Sequence, residues 1–248
     1  MKIIISPAKT MDFDKNNIYK SSKAVFTDKA KIIVDELKKL SVEEIEKKLK
    51  VNKRLALLNH ERYKNWKKED SKNSKQAIFA YNGQLFKNIG LSSFKEEEID
   101  YLQKHLRIIS ALYGVLRPLD AIMPYRLDFL AKIKINGENL YSFWSDLITD
   151  YFNELNEDFI VNLASNEYSK VLNRKKLNLE MIDVVFKEFK GGKYKIMSMS
   201  AKKARGRFLN FMVNNKVKNI NDLKKFNYDG YKLSNKESSD YLFVFLKD

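Results

Sequence analysis

Cysteine is absent from all 248 residues, which excludes disulfides, thiolate-bound metal and cysteine nucleophiles. Only His60 and His105 remain as imidazoles, too few for a structural zinc site. No apolar run approaches the ~20 residues of a membrane span. Met1-Lys2 leads into Ile3-Ile4-Ile5 and Ser6-Pro7, too short a stretch for a signal-peptide core, so a cytoplasmic address is expected. Prolines number three and glycines eight, and no linker, repeat or low-complexity tract divides the chain. Residues 1–248 are therefore read as one unit, with neither metal nor cofactor expected.

What is present is the composition of a packed globular protein: 44% hydrophobic residues and 12% aromatics beside 32% charged ones. Basic residues number 47 against 32 acidic, a net charge of +15 that attracts polyanions such as nucleic acid or anionic lipid. Most of the cations are lysine, and frequent Asn and Ile beside them are also the mark of AT-rich codon usage. The eight arginines, at 54, 62, 107, 117, 126, 174, 205 and 207, mark places where a planar fork of donors is needed.

Hydrophobic spacing predicts an α/β fold. Strands are expected at 2–5, 77–81, 106–110, 159–163 and 241–246, and a hairpin joins 181–189 to 194–199 around Gly191-Gly192. Helices are expected at 28–39, from Ser41 with Glu44 as a capping box, and from Asn52 as cap, the last carrying Leu55, Leu58, Tyr63 and Trp66. Further helices are expected from Ser93 with Glu96 to about Lys104, over 141–155 and over 202–214. Four apolar runs end in small or polar residues: Ser6-Pro7-Ala8-Lys9, Ser110 to Gly114, Ala164 to Glu167, and Ser198 to Lys202. In α/β folds ligands bind beyond the carboxyl ends of strands, so these endings are expected to converge on one cleft.

Two segments can carry chemistry. In residues 106–126, Gly114 suits a tight turn, Arg117-Pro118 can open a helical turn, and Arg117 and Arg126 offer bidentate phosphate contacts. Such a turn between helices resembles the helix-hairpin-helix of DNA-repair proteins, although a strand at 106–110 competes with it. In Ala201-Lys-Lys-Ala-Arg-Gly-Arg207, four cations stand where a helix begins and oppose its dipole, which calls for an anionic counterpart or a solvated face. Lys9, ending a buried strand, is a candidate nucleophile or base if burial desolvates it.

Ser6-Pro7-Ala8-Lys9, Leu112 to Asp120, Pro124-Tyr125-Arg126, Phe143-Trp144, Asn162-Leu163-Ala164-Ser165 with Glu167-Tyr168, and Ala201 to Gly206 together resemble the YaaA family of bacterial peroxide-stress proteins. The resemblance runs from Met1 to the closing strand; Gln84 departs from it, standing where several members carry an acid. It implies an unusual single-domain fold with a positively charged cleft, a helix-hairpin-helix-like element and affinity for duplex, bubbled or junction DNA. No reaction is attached to the family. The residues expected at the DNA surface are Lys9, Arg117, Tyr125, Arg126, Lys202, Lys203, Arg205 and Arg207, with Ser6, Asn162, Ser165, Glu167 and Tyr168 in the rest of the cleft.

Nothing resembles a recognition helix, so contacts are expected to fall on the DNA backbone and to ignore sequence. The alternative is an enzyme with Lys9 as nucleophile or base, supported by Glu167 and Tyr168, acting on nucleic acid or a small molecule. A third reading is a stress scaffold working through iron or protein partners. Two histidines without a neighbouring acidic cluster argue against direct iron storage.

Overall fold

Lys2–Ile5 forms strand β1, and all four of its residues are buried, as in the interior of a parallel sheet. The computed structural model describes residues 1–14, 19–68, 70 and 72–248. After β1 come helices α1 (Thr27–Leu37), α2 (Val42–Leu49) and α3 (Lys53–Asn65), then β2 (Lys75–Gln76), the single-turn helices α4 (Ala77–Ala80) and α5 (Gln84–Lys87), and α6 (Glu96–His105). Strands β3 (Leu106–Ser110), β4 (Gly114–Leu116) and β5 (Ala121–Ile122) precede α7 (Leu140–Asn153), β6 (Phe159–Asn162) and α8 (Asn166–Ser169). The chain closes with β7 (Glu180–Phe189), β8 (Tyr194–Lys195), α9 (Ser198–Asn214), α10 (Ile220–Leu223), β9 (Lys232–Leu233) and β10 (Leu242–Lys247).

One sheet runs β4-β3-β1-β6-β7-β10-β9, with β8 paired to the far end of β7, and β2 with β5 forms a separate small ribbon. Its five central strands, β3 to β10 in that order, are parallel, while β4, β8 and β9 run antiparallel at its margins. The chain leaves β1 toward β3 on one side and leaves β6 toward β7 on the other. Neighbouring strands whose exits diverge leave a crevice between their loops, the usual ligand position in open α/β sheets. Asn162 ends β6 level with Asp183, so β7 runs on beyond it and forms a wall there. A single hydrophobic cluster joins these layers from Met1 to Phe245.

Local signals place several elements. Ser41 Oγ accepts from the Glu44 backbone N–H while the Glu44 carboxylate accepts from that of Ser41, and Asn52 Oδ1 accepts from the Leu55 backbone. Other expectations fail. Ala77–Ala80 is a helical turn, because the apolar run lacks any polar residue that would distinguish a strand period from a buried helix, and the strand is the preceding Lys75–Gln76. The cap of α6 is Lys95, whose backbone N–H donates to Glu98 at 2.7 Å; Ser93 instead donates to the Gly90 carbonyl. Leu55 and Leu58 lie exposed on α3 while Ala56, Asn59 and Tyr63 are buried. Met197 precedes α9, which begins four residues before the expected Lys202 and shortens the second hairpin strand to Tyr194–Lys195.

Residues 106–126 hold strands and turns, with no helix on either side of a hairpin, so this segment is not a helix-hairpin-helix. Gly114 takes φ +68°, and an added Cβ would meet the Trp144 ring at 2.5 Å, so its small size seats the turn against α7. No helix starts at Pro118. The Asp120 carboxylate instead accepts from the Arg117 backbone N–H at 2.8 Å and closes that turn.

Candidate nucleic-acid interface

The loops leaving β1 and β6 meet through two serines. Ser6 Oγ accepts from the Ser165 backbone N–H at 2.9 Å and lies 3.2 Å from Ser165 Oγ. Between them opens a depression of about 260 Å³ that Lys9, Gln84, Phe86, Glu167, Tyr168, Met199, Lys202 and Arg205 also line. Lys202 and Arg205 extend into a second depression of about 450 Å³, with Asn162, Arg174 and Asp183, where β7 outruns β6. Lys9 and Glu167 extend into a third of about 160 Å³, with Lys48, Lys50, Arg126 and Asp128. Shared residues thus link the three beside the carboxyl ends of β1 and β6.

Asp128 organises the third depression. Its Oδ2 takes Arg126 Nη2 at 2.7 Å and faces Lys9 Nζ at 3.6 Å, and its Oδ1 accepts from the Tyr168 hydroxyl at 3.1 Å. Burial, reinforced by the Asp128 charge, pushes the Glu167 carboxyl above its ordinary range, and its Oε1 has no hydrogen-bond partner. Burial and the same aspartate raise the Tyr168 phenol. The Lys9 side chain is 64% exposed.

On the other side of the crevice, α9 supplies Lys202 and Arg205 one turn apart on one face. No side chain caps this helix, and its first turn carries no acid. Arg205 is largely desolvated, which draws its guanidinium below its ordinary value, and its Nε finds no partner. Asn162 is a support: its amide donates to Asp183 at 2.7 Å and its oxygen accepts from the Ala164 backbone, while Arg174 Nη2 donates to both oxygens of the same Asp183.

Of the residues singled out in the sequence, Ser6, Lys9, Ser165, Glu167, Tyr168, Lys202 and Arg205 line the central depression, with Asn162 and Arg126 in those beside it. Four others line none of the three. Arg117 holds the fully buried Asp120 through Nε and Nη2 at 3.0 and 2.9 Å and reaches the Lys23 carbonyl. Tyr125 is buried, its hydroxyl lying between those of Tyr81 and Ser110, and burial raises its phenol. The Arg207 guanidinium sits 5.1 Å over the Tyr228 ring, and Lys203 points to solvent elsewhere on α9.

Three of the four strand-end loops therefore converge. The fourth is held in the core, where Ser110 Oγ accepts from the Leu112 and Tyr113 backbones. Sequence reasoning missed Asp128, two residues past Arg126, and the Gly83-Gln84 turn, to which the departure at Gln84 assigned no role. It also missed Arg174, Lys48 and Lys50. Among the described residues no helix is long and apolar enough to cross a membrane, and no group of three His, Asp or Glu is placed to hold a metal ion.

A family profile described as "Peroxide stress protein YaaA" matches residues 1–237. A UPF0246 protein of Francisella philomiragia is 39% identical over 254 residues, covering 100% of both chains. One from Saccharophagus degradans is 41% identical, covering 97% of this chain and 96% of its own, and one from Shewanella pealeana is 40% identical, covering 100% and 99%.

Proposed function

The chain belongs to the peroxide stress protein YaaA family, and from that premise we propose that it binds duplex or branched DNA through the joined depressions, without regard to sequence. The observation that carries this reading is the charge of the lining: seven cations against three carboxylates. Asp183 and Asp128 are already paired with Arg174 and Arg126. Lys48, Lys50, Lys202 and Arg205, without ion pairs among the described residues, are left to neutralise phosphates.

Backbone contacts of this kind position DNA and carry no sequence information. The depressions lie on different loops and helices, so no single element is offered to a major groove as a reading head. In this role the protein covers or helps repair cytoplasmic DNA during peroxide stress.

The test is equilibrium binding of three duplexes of equal length and unrelated sequence at one salt concentration. Dissociation constants within about threefold of one another support the reading. A preference of 10³ or more for one sequence, the range of specific binders, would contradict it.

A further inference from the structure

Among the described residues, three buried side-chain polar atoms have no hydrogen-bond partner, and two of them, Glu167 Oε1 and Arg205 Nε, belong to residues lining the central depression. Buried polar atoms are nearly always paired in folded proteins, and the residues that carry these two line one cavity, where a rotation of either side chain presents its group to a ligand. The two ask for opposite things. Arg205 Nε can only donate, whereas a carboxylate oxygen is an acceptor. Their occupant therefore carries an anionic acceptor at one end and a hydrogen-bond donor at the other.

Around Arg205 the requirement is for a compact anion. Lys202 stands one turn earlier on α9 and adds a second cation. The same lining includes the Phe86 and Tyr168 rings and the Met199 side chain. Rings and thioether suit the face of a heterocycle, whose amino edge then meets the carboxyl. A cavity of about 260 Å³ matches one such unit and excludes a paired base step.

We propose that this depression binds one nucleotide unit, with its phosphate on Lys202 and Arg205 and the amino edge of its base on Glu167. The unit comes either as a free nucleotide or as an unpaired nucleotide of a strand, and only the second source rests on the DNA-binding reading. Bubbled DNA supplies unpaired units and perfect duplex does not.

The experiment titrates the full chain with dAMP, with deoxyribose 5-phosphate, with a duplex carrying an unpaired central adenine bubble, and with the same bubble made abasic. The expected result is discrimination by the base of about tenfold or more, in the free ligands, in the bubbles, or in both. Arg205→Met lowers binding of dAMP or bubble about tenfold, and Glu167→Leu abolishes the preference for the base; should either variant fail to fold, discrimination by the unaltered protein decides. Preference for the intact bubble with competition by dAMP, or without measurable dAMP binding, assigns the strand-borne source; dAMP binding without competition assigns the free nucleotide. Equal treatment of base and abasic ligands in both pairs overturns the proposal, and leaves the DNA-binding reading standing if perfect duplex still binds. Loss of duplex binding with dAMP discrimination intact overturns only the DNA-binding reading.

Discussion

Gly206 on α9 stands against the Leu85 carbonyl on α5, where an added Cβ would lie 2.3 Å from the oxygen and 2.8 Å from the Asn88 Cβ. A backbone oxygen cannot yield as a flexible side chain does, so the two helices must separate to admit even a methyl group. The contact sets the spacing of two walls of the central depression, since Leu85 and Arg205 both line it. Gly206→Ala is expected to cost about 1–3 kcal/mol, read as a melting temperature lower by roughly 3–10 °C. DNA affinity of the folded variant falls with it. An unchanged melting temperature would show that the walls move freely.

Arg117 is expected to act on stability and not on DNA. Its guanidinium holds the fully buried Asp120, which the Ser22 hydroxyl also meets at 2.7 Å. Arg117→Ala strands that carboxylate and costs about 3–5 kcal/mol in denaturant unfolding. Affinity for DNA per folded molecule stays at the wild-type value. A loss of affinity matching that of Arg205→Ala, with stability intact, would move Arg117 onto the DNA surface.

Strand and helix positions were largely legible because neighbours in sequence set them: the Ser41–Glu44 box, the Asn52 cap and the apolar β1 each act within a few residues. The site was legible in part. Ser6, Ser165 and Lys202 announced themselves as small or charged residues ending apolar runs, and the divergent exits of β1 and β6 bring them together. Asp128 gave no such signal, since its partners Lys9, Arg126 and Tyr168 gather only through long-range chain reversals. Arg117 and Tyr125 lie apart from the three depressions, because forked and aromatic donors serve buried hydrogen bonds as readily as ligands. The helix-hairpin-helix reading failed where Leu106–Ser110, equally apolar in either period, was taken up by the sheet.

His105 makes stability depend on pH. Burial pulls its imidazole below the ordinary 6.5, with Lys2 and the amino terminus adding to the effect and the Met1 carbonyl, 3.1 Å from Nδ1, opposing it. Between 6.5 and the lower folded value the unfolded chain takes up a proton that the folded chain refuses, so stability declines as pH drops through that interval. Glu167, held above its ordinary 4.5, acts in the opposite sense: its contribution is present below 4.5 and is lost as pH rises through its folded value. The difference between wild type and His105→Gln is therefore the quantity to read. The His105→Gln variant should lose less stability on acidification than wild type, and the His105 ring protons should titrate below 6.5 by NMR. A midpoint above 6.5 would reverse the sign.

Lys9 is expected to leave no covalent trace. Its exposed ammonium faces Asp128 at 3.6 Å and is well hydrated, unlike a desolvated Schiff-base lysine. Borohydride treatment with abasic DNA should yield no adduct by mass spectrometry. An adduct at Lys9 that disappears in Lys9→Met would establish the enzymatic alternative.

The salt dependence of DNA affinity bears on the joined basic depressions as a phosphate-binding surface. For a duplex of arbitrary sequence, log affinity should fall linearly with log salt, by about 0.9 for each phosphate neutralised. Lys202→Gln and Arg205→Gln should each reduce that slope by about 0.9, while Lys29→Gln, exposed on α1 and outside the three depressions, should leave it unchanged. Affinity indifferent to salt, or slopes that respond to Lys29 as much as to Lys202 and Arg205, would contradict DNA binding at this surface.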